Sequence, residues 1–493
     1  MGRDRHRLRM VAPGMLHELA EATAAELGVC VRPIAVRRVD TVSGESTNVG
    51  IRCGSTKANV CPSCAEAARR VRMHQAREGW HLTEEPQLPP VTRTAPVQRR
   101  VRSTRRRQDA PDLPAQQIAA VTVGRTFEAP DGKTYRPSTF LTLTLGSYGA
   151  VRGDGSPVDP DSYDYRRAAR DAMHFGELID RFWQNLRRAV GWDVQYFAAV
   201  EPQRRGAPHL HAAVRGTIPR KLIRQVVVAT YHQVWWPPCD EALYGRDGLP
   251  AWDSNAGGYV DPDTRQLLPT WDQALDSIEA DPEAQPAHVI RFGTRGVDVQ
   301  GVVAGTDAAG GALRYLVKYL TKAISDCHTP TTTAAAEHTA RLAAELRWQP
   351  CSSRCSNWLL YGVQPEHAHG ELLPGACPSA AHRAANLGYA GRRCLVSRKW
   401  TGKTLTQHRT DRRAHVMRAL GAVGIRVDQD TPEHAEPGRF RWEAIGPDDP
   451  NQPDRTELLI RAINQRRRWR DQYEQARSAT VDQERGSDGR RTA

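Results

Sequence analysis

Val194-Gln195-Tyr196-Phe197-Ala198-Ala199-Val200 and His209-Leu210-His211-Ala212-Ala213-Val214 are two apolar-rich segments separated by Glu201-Pro202-Gln203-Arg204-Arg205-Gly206-Ala207-Pro208. Each segment reads as a β-strand, and the connection, with its two prolines and a glycine, reads as a turn. Side chains alternate across a strand, so His209 and His211 project to one face while Leu210, Ala212 and Val214 face a core. Further upstream, Phe140-Leu141-Thr142-Leu143-Thr144-Leu145 alternates at period two and stops at Gly146, as a half-buried strand does. Phe175, Leu178, Ile179, Phe182 and Leu186 recur at helical spacing, which predicts an amphipathic helix over residues 171–190. Strands joined by a short connection and packed under a helix indicate an α+β fold on an antiparallel sheet.

Two neutral imidazoles on one face can share a divalent cation. A carboxylate at the neighbouring strand end, Glu201, would complete a facial set that leaves coordination positions open for a phosphate. A His-x-His pair alone is a weak signal, the more ordinary reading being an exposed polar strand edge. A second element adds to it: in Leu313-Arg314-Tyr315-Leu316-Val317-Lys318-Tyr319-Leu320-Thr321-Lys322-Ala323-Ile324, residues Leu313, Leu316, Val317, Leu320 and Ile324 form one apolar stripe. Tyr315, Lys318, Tyr319 and Lys322 fall on the other side, and tyrosines at i and i+4 are neighbours on a helix surface. Core packing is the poorer account of them, a rim position being the alternative. A phenol, with an unperturbed pKa near ~10, attacks phosphate only when its anion is stabilised, and a lysine follows each tyrosine by three residues. Tyr315 and Tyr319 are therefore candidate nucleophiles, with Lys318 and Lys322 as their cationic support.

Composition agrees with a polyanionic partner. The 493 residues carry 69 Lys+Arg against 56 Asp+Glu, a net charge of +13, and the sequence pI is about 9.5. The length admits two to four domains. There is no apolar run of about eighteen residues and no signal-peptide core after Met1-Gly-Arg-Asp-Arg-His-Arg, so no membrane association is expected and the cytoplasm is the expected location. Ten cysteines in a reducing compartment point to metal sites rather than disulfides.

The cysteine spacing supports that reading. Cys53, Cys61 and Cys64, the last two in a Cys-Pro-Ser-Cys knuckle, with Cys30 upstream as the most distant ligand, could close a tetrahedral Zn2+ site. Cys351, Cys355, Cys377 and His382 offer a second set, in which His367 or His369 could replace His382. Buried or spare thiols are the alternative for both. Cys239, Cys327 and Cys394 have no partner at ligand spacing and read as structural. Between Gly388 and Lys403, basic residues alternate with aromatics and glycine, a surface able to follow phosphates while stacking bases. Arg392, Arg393, Arg398, Lys399 and Lys403, together with Arg205 in the turn, are the candidate DNA contacts, a solvated basic loop being the alternative.

Composition shifts divide the chain into an N-terminal zinc-knuckle-like region (1–95), a basic linker (96–115) containing the run Arg99 to Arg107, a catalytic domain (116–325), a Cys/His-rich DNA-binding-like region (326–430) and a helical tail (431–493). No internal repeat is visible.

The order of motifs, a Leu-Thr-Leu strand ending in Gly146-Ser147-Tyr148-Gly149, then Glu201-x-Gln203-x-Arg205-Gly206-x-Pro208-His209-x-His211, then Tyr315-x-x-Lys318-Tyr319-x-x-Lys322, resembles the signature of HUH-type rolling-circle replication initiators. It is most similar to those of actinobacterial plasmids and integrative conjugative elements, from about Cys30 to Trp442, and includes Tyr231-His232-Gln233-Val234-Trp235-Trp236. The resemblance implies an HUH endonuclease domain that nicks one strand of single-stranded or hairpin origin DNA, using Mg2+ or Mn2+. It also implies paired roles for the two tyrosines and recurrence of the cysteine clusters. Nicking would leave a 5′-phosphotyrosine and a free 3′ hydroxyl for a host polymerase. Without a Gly-x-x-x-x-Gly-Lys-Ser/Thr loop in the chain, a host helicase is expected as well. The rivals are a relaxase or transposase of a mobile element, and a non-catalytic zinc-dependent DNA-binding regulator.

Overall fold

A computed structural model of the chain describes residues 13–80, 82–87, 113–128, 130, 132, 134–245, 248–303, 306–318, 330–422, 438–446, 449–450 and 452–488. In chain order, α1 spans Pro13–Glu26, β1 Ile34–Asp40, β2 Ser46–Ile51, α2 Pro62–Trp80, β3 Pro137–Leu145, α3 Tyr165–Val190, β4 Tyr196–Pro202 and β5 Pro208–Val214. There follow α4 at Arg220–Ala229, β6 at Tyr231–Val234, β7 at His288–Val303, α5 at Asp307–Lys318, α6 at Thr333–Trp348, β8 at Cys394–Val396, α7 at Leu405–Ala422, β9 at Phe440–Ala444 and α8 at Arg455–Asp488. The chain divides into two compact units, one from the described residues of Met1–Gln75 and Lys403–Ala493, the other from those of Ala76–Gly402.

The larger unit is built on a six-stranded sheet ordered β8-β4-β5-β3-β7-β6, every neighbouring pair antiparallel. Period-two alternation in β3 sends Leu141, Leu143 and Leu145 to one face, where they share a core with Val200, Leu210 and Ala212 of the central strands. That core is closed by α3, whose Phe175, Leu178, Ile179, Phe182 and Leu186 are fully buried. The helix begins earlier than periodicity indicates. Asp164 caps it by accepting from the Arg167 amide, and Gly191, left-handed at φ 74°, closes it with its amide on the Arg187 carbonyl. Burying five such side chains contributes about 1.5–3 kcal/mol each to holding the helix on the sheet.

One strand end departs from the sequence reading. Residue Glu201 lies within β4 and pairs directly with His209, the turn being confined to the residues between Pro202 and Pro208. Prolines are tolerated at strand ends, so the ladder runs on to a Pro202–Pro208 pair. Strand β7 carries a register shift between Phe292 and Val297. Gly296 is needed there, because a Cβ would run into the Thr144 hydroxyl, which instead donates to the Gly296 carbonyl at 3.1 Å.

The smaller unit holds a three-stranded antiparallel sheet, β9-β1-β2, with α1 packed on α8 through Ala20, Ala24, Leu459 and Ile463. No helix among the described residues is long and apolar enough to cross a membrane.

Candidate metal and nucleophile site

On the face of the large sheet opposite α3, cross-strand register aligns Thr142, His211 and Ala199 in one row and Thr144, His209 and Glu201 in the next. Antiparallel neighbours in register share a face, so both histidines and the carboxylate converge, as the His-x-His spacing indicates. His209 Nε2 lies 2.7 Å from His211 Nε2, and His211 Nε2 lies 3.9 Å from a Glu201 carboxylate oxygen. One donor atom from each of the three residues fits within a 4.8 Å cluster. Glu201 and His211 are buried, at 4% and 7% exposure.

Helix α5 covers this face through Ala309, Leu313, Leu316 and Val317, all buried, the first part of the apolar stripe read from the sequence. Tyr315, outside that stripe, is 39% exposed. The phenol oxygen lies 3.2 Å from His211 Nε2, and the two rings meet edge to face at 89° with centroids 4.8 Å apart. Lys318 is the last residue of α5 and is close enough to act electrostatically on Glu201. Tyr319 and Lys322 lie outside the described residues.

Burial dominates the electrostatics. It lifts the Glu201 carboxyl to about 8, with the cations of Arg393 and Lys318 pulling against it. Burial likewise lowers His209 to about 3, assisted by His211, and His211 to about 4. The imidazoles are neutral at physiological pH, the form in which they ligate metal. Glu201 Oε1 is buried with no hydrogen-bond partner among the described residues. A lone carboxylate oxygen beside two neutral imidazoles fits a divalent cation, which would supply the charge that burial withholds.

The surroundings show what sequence reasoning missed. Thr142 Oγ1 lies 2.9 Å from His211 Nδ1, so the hydroxyl orients the ring and leaves Nε2 facing the cluster. The signal was available in the Leu-Thr-Leu-Thr alternation, which places Thr142 on the histidine face. The basic segment also comes closer than its sequence distance suggests. β8 adds to the sheet edge beside β4, and Arg393 donates to the Val200 carbonyl at 3.2 Å, next to Glu201.

The other basic candidates divide. Arg392 and Arg398 are exposed. Lys399 pairs with Asp193 at 3.0 Å, and Lys403 with Asp411 at 2.9 Å. Arg205 bonds the Gln203 side chain and the Gly146 and Leu145 carbonyls at 2.9, 2.6 and 2.8 Å, holding the β4–β5 turn to the end of β3.

Both cysteine sets are assembled. Cys30, Cys53, Cys61 and Cys64 form one cluster in the smaller unit, with Cys30 and Cys61 sulfurs 3.8 Å apart. Cys351, Cys355, Cys377 and His382 form the other in the larger unit, with Cys355 Sγ 3.4 Å from His382 Nε2. His382 Nδ1 donates to the Leu346 carbonyl at 2.8 Å, leaving Nε2 toward the sulfurs. His382 thus joins the set, with neither His367 nor His369 in it. Each set could bind structural Zn2+. Cys239 is buried and packs against the second set, Cys394 is in β8, and Cys327 lies outside the described residues.

A curated replication initiator protein from Streptomyces ambofaciens is 28% identical over 300 residues, 57% of this chain and 54% of that protein, so the chain spans about half the length of that relative. No solved structure matches the chain. The family model described as the replication initiator protein of pSAM2 matches residues 17–465, and by that match the chain belongs to this replication initiator family.

Proposed function

We propose that this initiator is an HUH-type endonuclease that starts rolling-circle replication by nicking one strand of its origin, with Tyr315 as the attacking nucleophile. The observation that carries this reading is the 3.2 Å approach of the Tyr315 phenol to His211 Nε2 inside the Glu201–His209–His211 cluster. Core packing does not call for a tyrosine there, since the buried stripe of α5 is complete without it.

A bound Mg2+ or Mn2+ would supply Lewis-acid polarisation of the scissile phosphodiester. The chain's residues do the rest. Glu201, His209 and His211, on two paired strands, would hold the cation. Tyr315 is aimed at the same point, and Lys318 and Arg393 bring positive charge where phosphate oxygens would lie. The Tyr315 phenol gives up its proton to solvent as its oxygen forms a bond to phosphorus, the bond from phosphorus to the 3′ oxygen breaks, and that oxygen takes up a proton from solvent and leaves as a hydroxyl, so protons balance overall. The resulting 5′-phosphotyrosine conserves the energy of the broken bond for rejoining. Tyr319, four residues on in the sequence, would serve the second transfer, with Lys322 as its cationic support. The free 3′ end is the primer for a host polymerase, with a host helicase opening the duplex. The setting would be an actinobacterial plasmid or integrative element in the cytoplasm.

The test is a denaturing gel of the protein mixed with single-stranded fragments from around its own gene, with magnesium or manganese. A shifted protein–DNA band that is lost with chelator and in a Tyr315→Phe, Tyr319→Phe double variant supports nicking. Tight binding without any adduct under either metal defeats it.

A further inference from the structure

The sheet of the smaller unit has one covered and one open face. A Cβ placed on Gly50 would meet the Leu458 side chain at 3.5 Å, so the face bearing Ala35 and Gly50 is the one that α8 covers. Residues in register with Trp442, namely Arg38 and Thr47, lie on the opposite face together with Ile34, Ile51 and Phe440. That face is open: Ile34 is 50% exposed, Ile51 40% and Trp442 49%. Scattered apolar residues on a surface need no explanation, but two aromatics with two isoleucines on a single sheet face do.

The cations around it narrow the occupant. The Arg38 guanidinium lies 4.8 Å from the Phe440 ring centroid and that of Arg439 5.4 Å from it, so Phe440 is flanked by two positive groups. Arg439 also pairs with Asp40 at 3.1 Å, which fixes its place at the rim. A polyanion with flat apolar groups meets both features at once. We infer that the open face of the β9-β1-β2 sheet is a binding platform for single-stranded DNA, with bases stacked on Trp442 and Phe440 and phosphates held by Arg38 and Arg439. Duplex DNA is a poor fit, because its bases are already stacked on each other and present only their edges to a flat aromatic surface. The platform uses no residue of the Glu201–His209–His211 cluster and requires no cleavage, so it stands or falls separately from the nicking reading.

Photocross-linking of the full-length chain to an oligonucleotide of 5-iododeoxyuridine, without divalent metal, tests it directly. Mass spectrometry should locate cross-links at Trp442 or Phe440. In parallel, anisotropy with oligo(dT) should show affinity falling by about 5- to 150-fold in Trp442→Ala, the usual range for one lost stacking contact, and by no more than about threefold in Trp442→Phe. Binding to a duplex should change by less than about twofold. Cross-links confined to residues 76–402, or oligo(dT) affinity unchanged in Trp442→Ala, would overturn the inference. Dissociation of a dimer in that variant with unchanged DNA binding would overturn it too, by assigning the face to a second copy.

Discussion

The Thr142 hydroxyl and the His211 ring are locked together: Oγ1 lies 2.9 Å from Nδ1, across a strand pair whose register places the two residues directly opposite. One nitrogen of His211 is therefore committed to the sheet and the other is left for the cluster shared with Glu201, His209 and Tyr315. Replacing Thr142 by the near-isosteric valine should keep the fold and loosen the ring. Manganese affinity, followed by calorimetry, is expected to fall by about 10- to 100-fold with little change in melting temperature. Unchanged affinity would mean that Thr142 does not position the ligand.

The two cysteine sets lie in different compact units, so their losses should be separable. Elemental analysis of protein purified without chelator should find two zinc ions per chain, and one in either Cys61→Ser or Cys355→Ser. A thiolate site that contributes to folding loses that contribution outright when it is broken. Each variant should therefore become protease-sensitive chiefly in its own unit. Zinc content unaffected by both substitutions would show that the sulfurs are merely packed.

A buried histidine group makes the larger unit acid-sensitive. His174, only 6% exposed, sits among His232, His288 and Trp236, with ring centroids 6.1, 6.3 and 4.7 Å away. Burial, reinforced by the charges of His232, His288 and Arg170, lowers it to about 3. The unfolded imidazole takes up its proton below about 6.5, whereas the folded one does so only near 3. Between those values the unfolded state binds more protons, so stability is complete above about pH 6.5 and is lost as pH falls. At pH 5 the loss from this residue is on the order of 2 kcal/mol. Urea midpoints at pH 7 and pH 5 should differ less in His174→Leu than in the parent chain, and an equal difference would refute the assignment.

The exposed arginines of the basic segment should act through phosphate. Arg392→Ala with Arg398→Ala is expected to weaken single-strand binding regardless of sequence and to reduce the slope of log K against log salt by about 1.4, two contacts at roughly 0.7 each. A change in sequence preference with an unchanged slope would indicate base contacts instead.

Much of the site was legible because its signals are local. Period-two alternation put His209 and His211 on one face, the helical stripe from Leu313 set Tyr315 apart from the core, and short cysteine spacings marked both thiolate clusters. What was hidden depends on pairings between distant segments. The Pro202–Pro208 stretch looks like a turn, yet its flanks continue the ladder and carry Glu201 opposite His209. Nothing around Cys394 announces that it pairs with Ala199 at the sheet edge, or around Phe440 that it pairs with Asp40. Arg205, read as a DNA contact from its charge, has its guanidinium bonded to the carbonyls of Leu145 and Gly146, partners that only the folded chain supplies.

The central claim is that the Tyr315 phenol attacks DNA at the histidine cluster. The most direct measurement is to trap the protein on its origin strand with manganese, trim the DNA with nuclease, and locate the remaining nucleotide by peptide mass spectrometry. The account predicts a nucleotide on Tyr315, absent from the His211→Ala protein. A nucleotide on Tyr319 alone, with Tyr315→Phe still fully active, or on neither tyrosine, would contradict it.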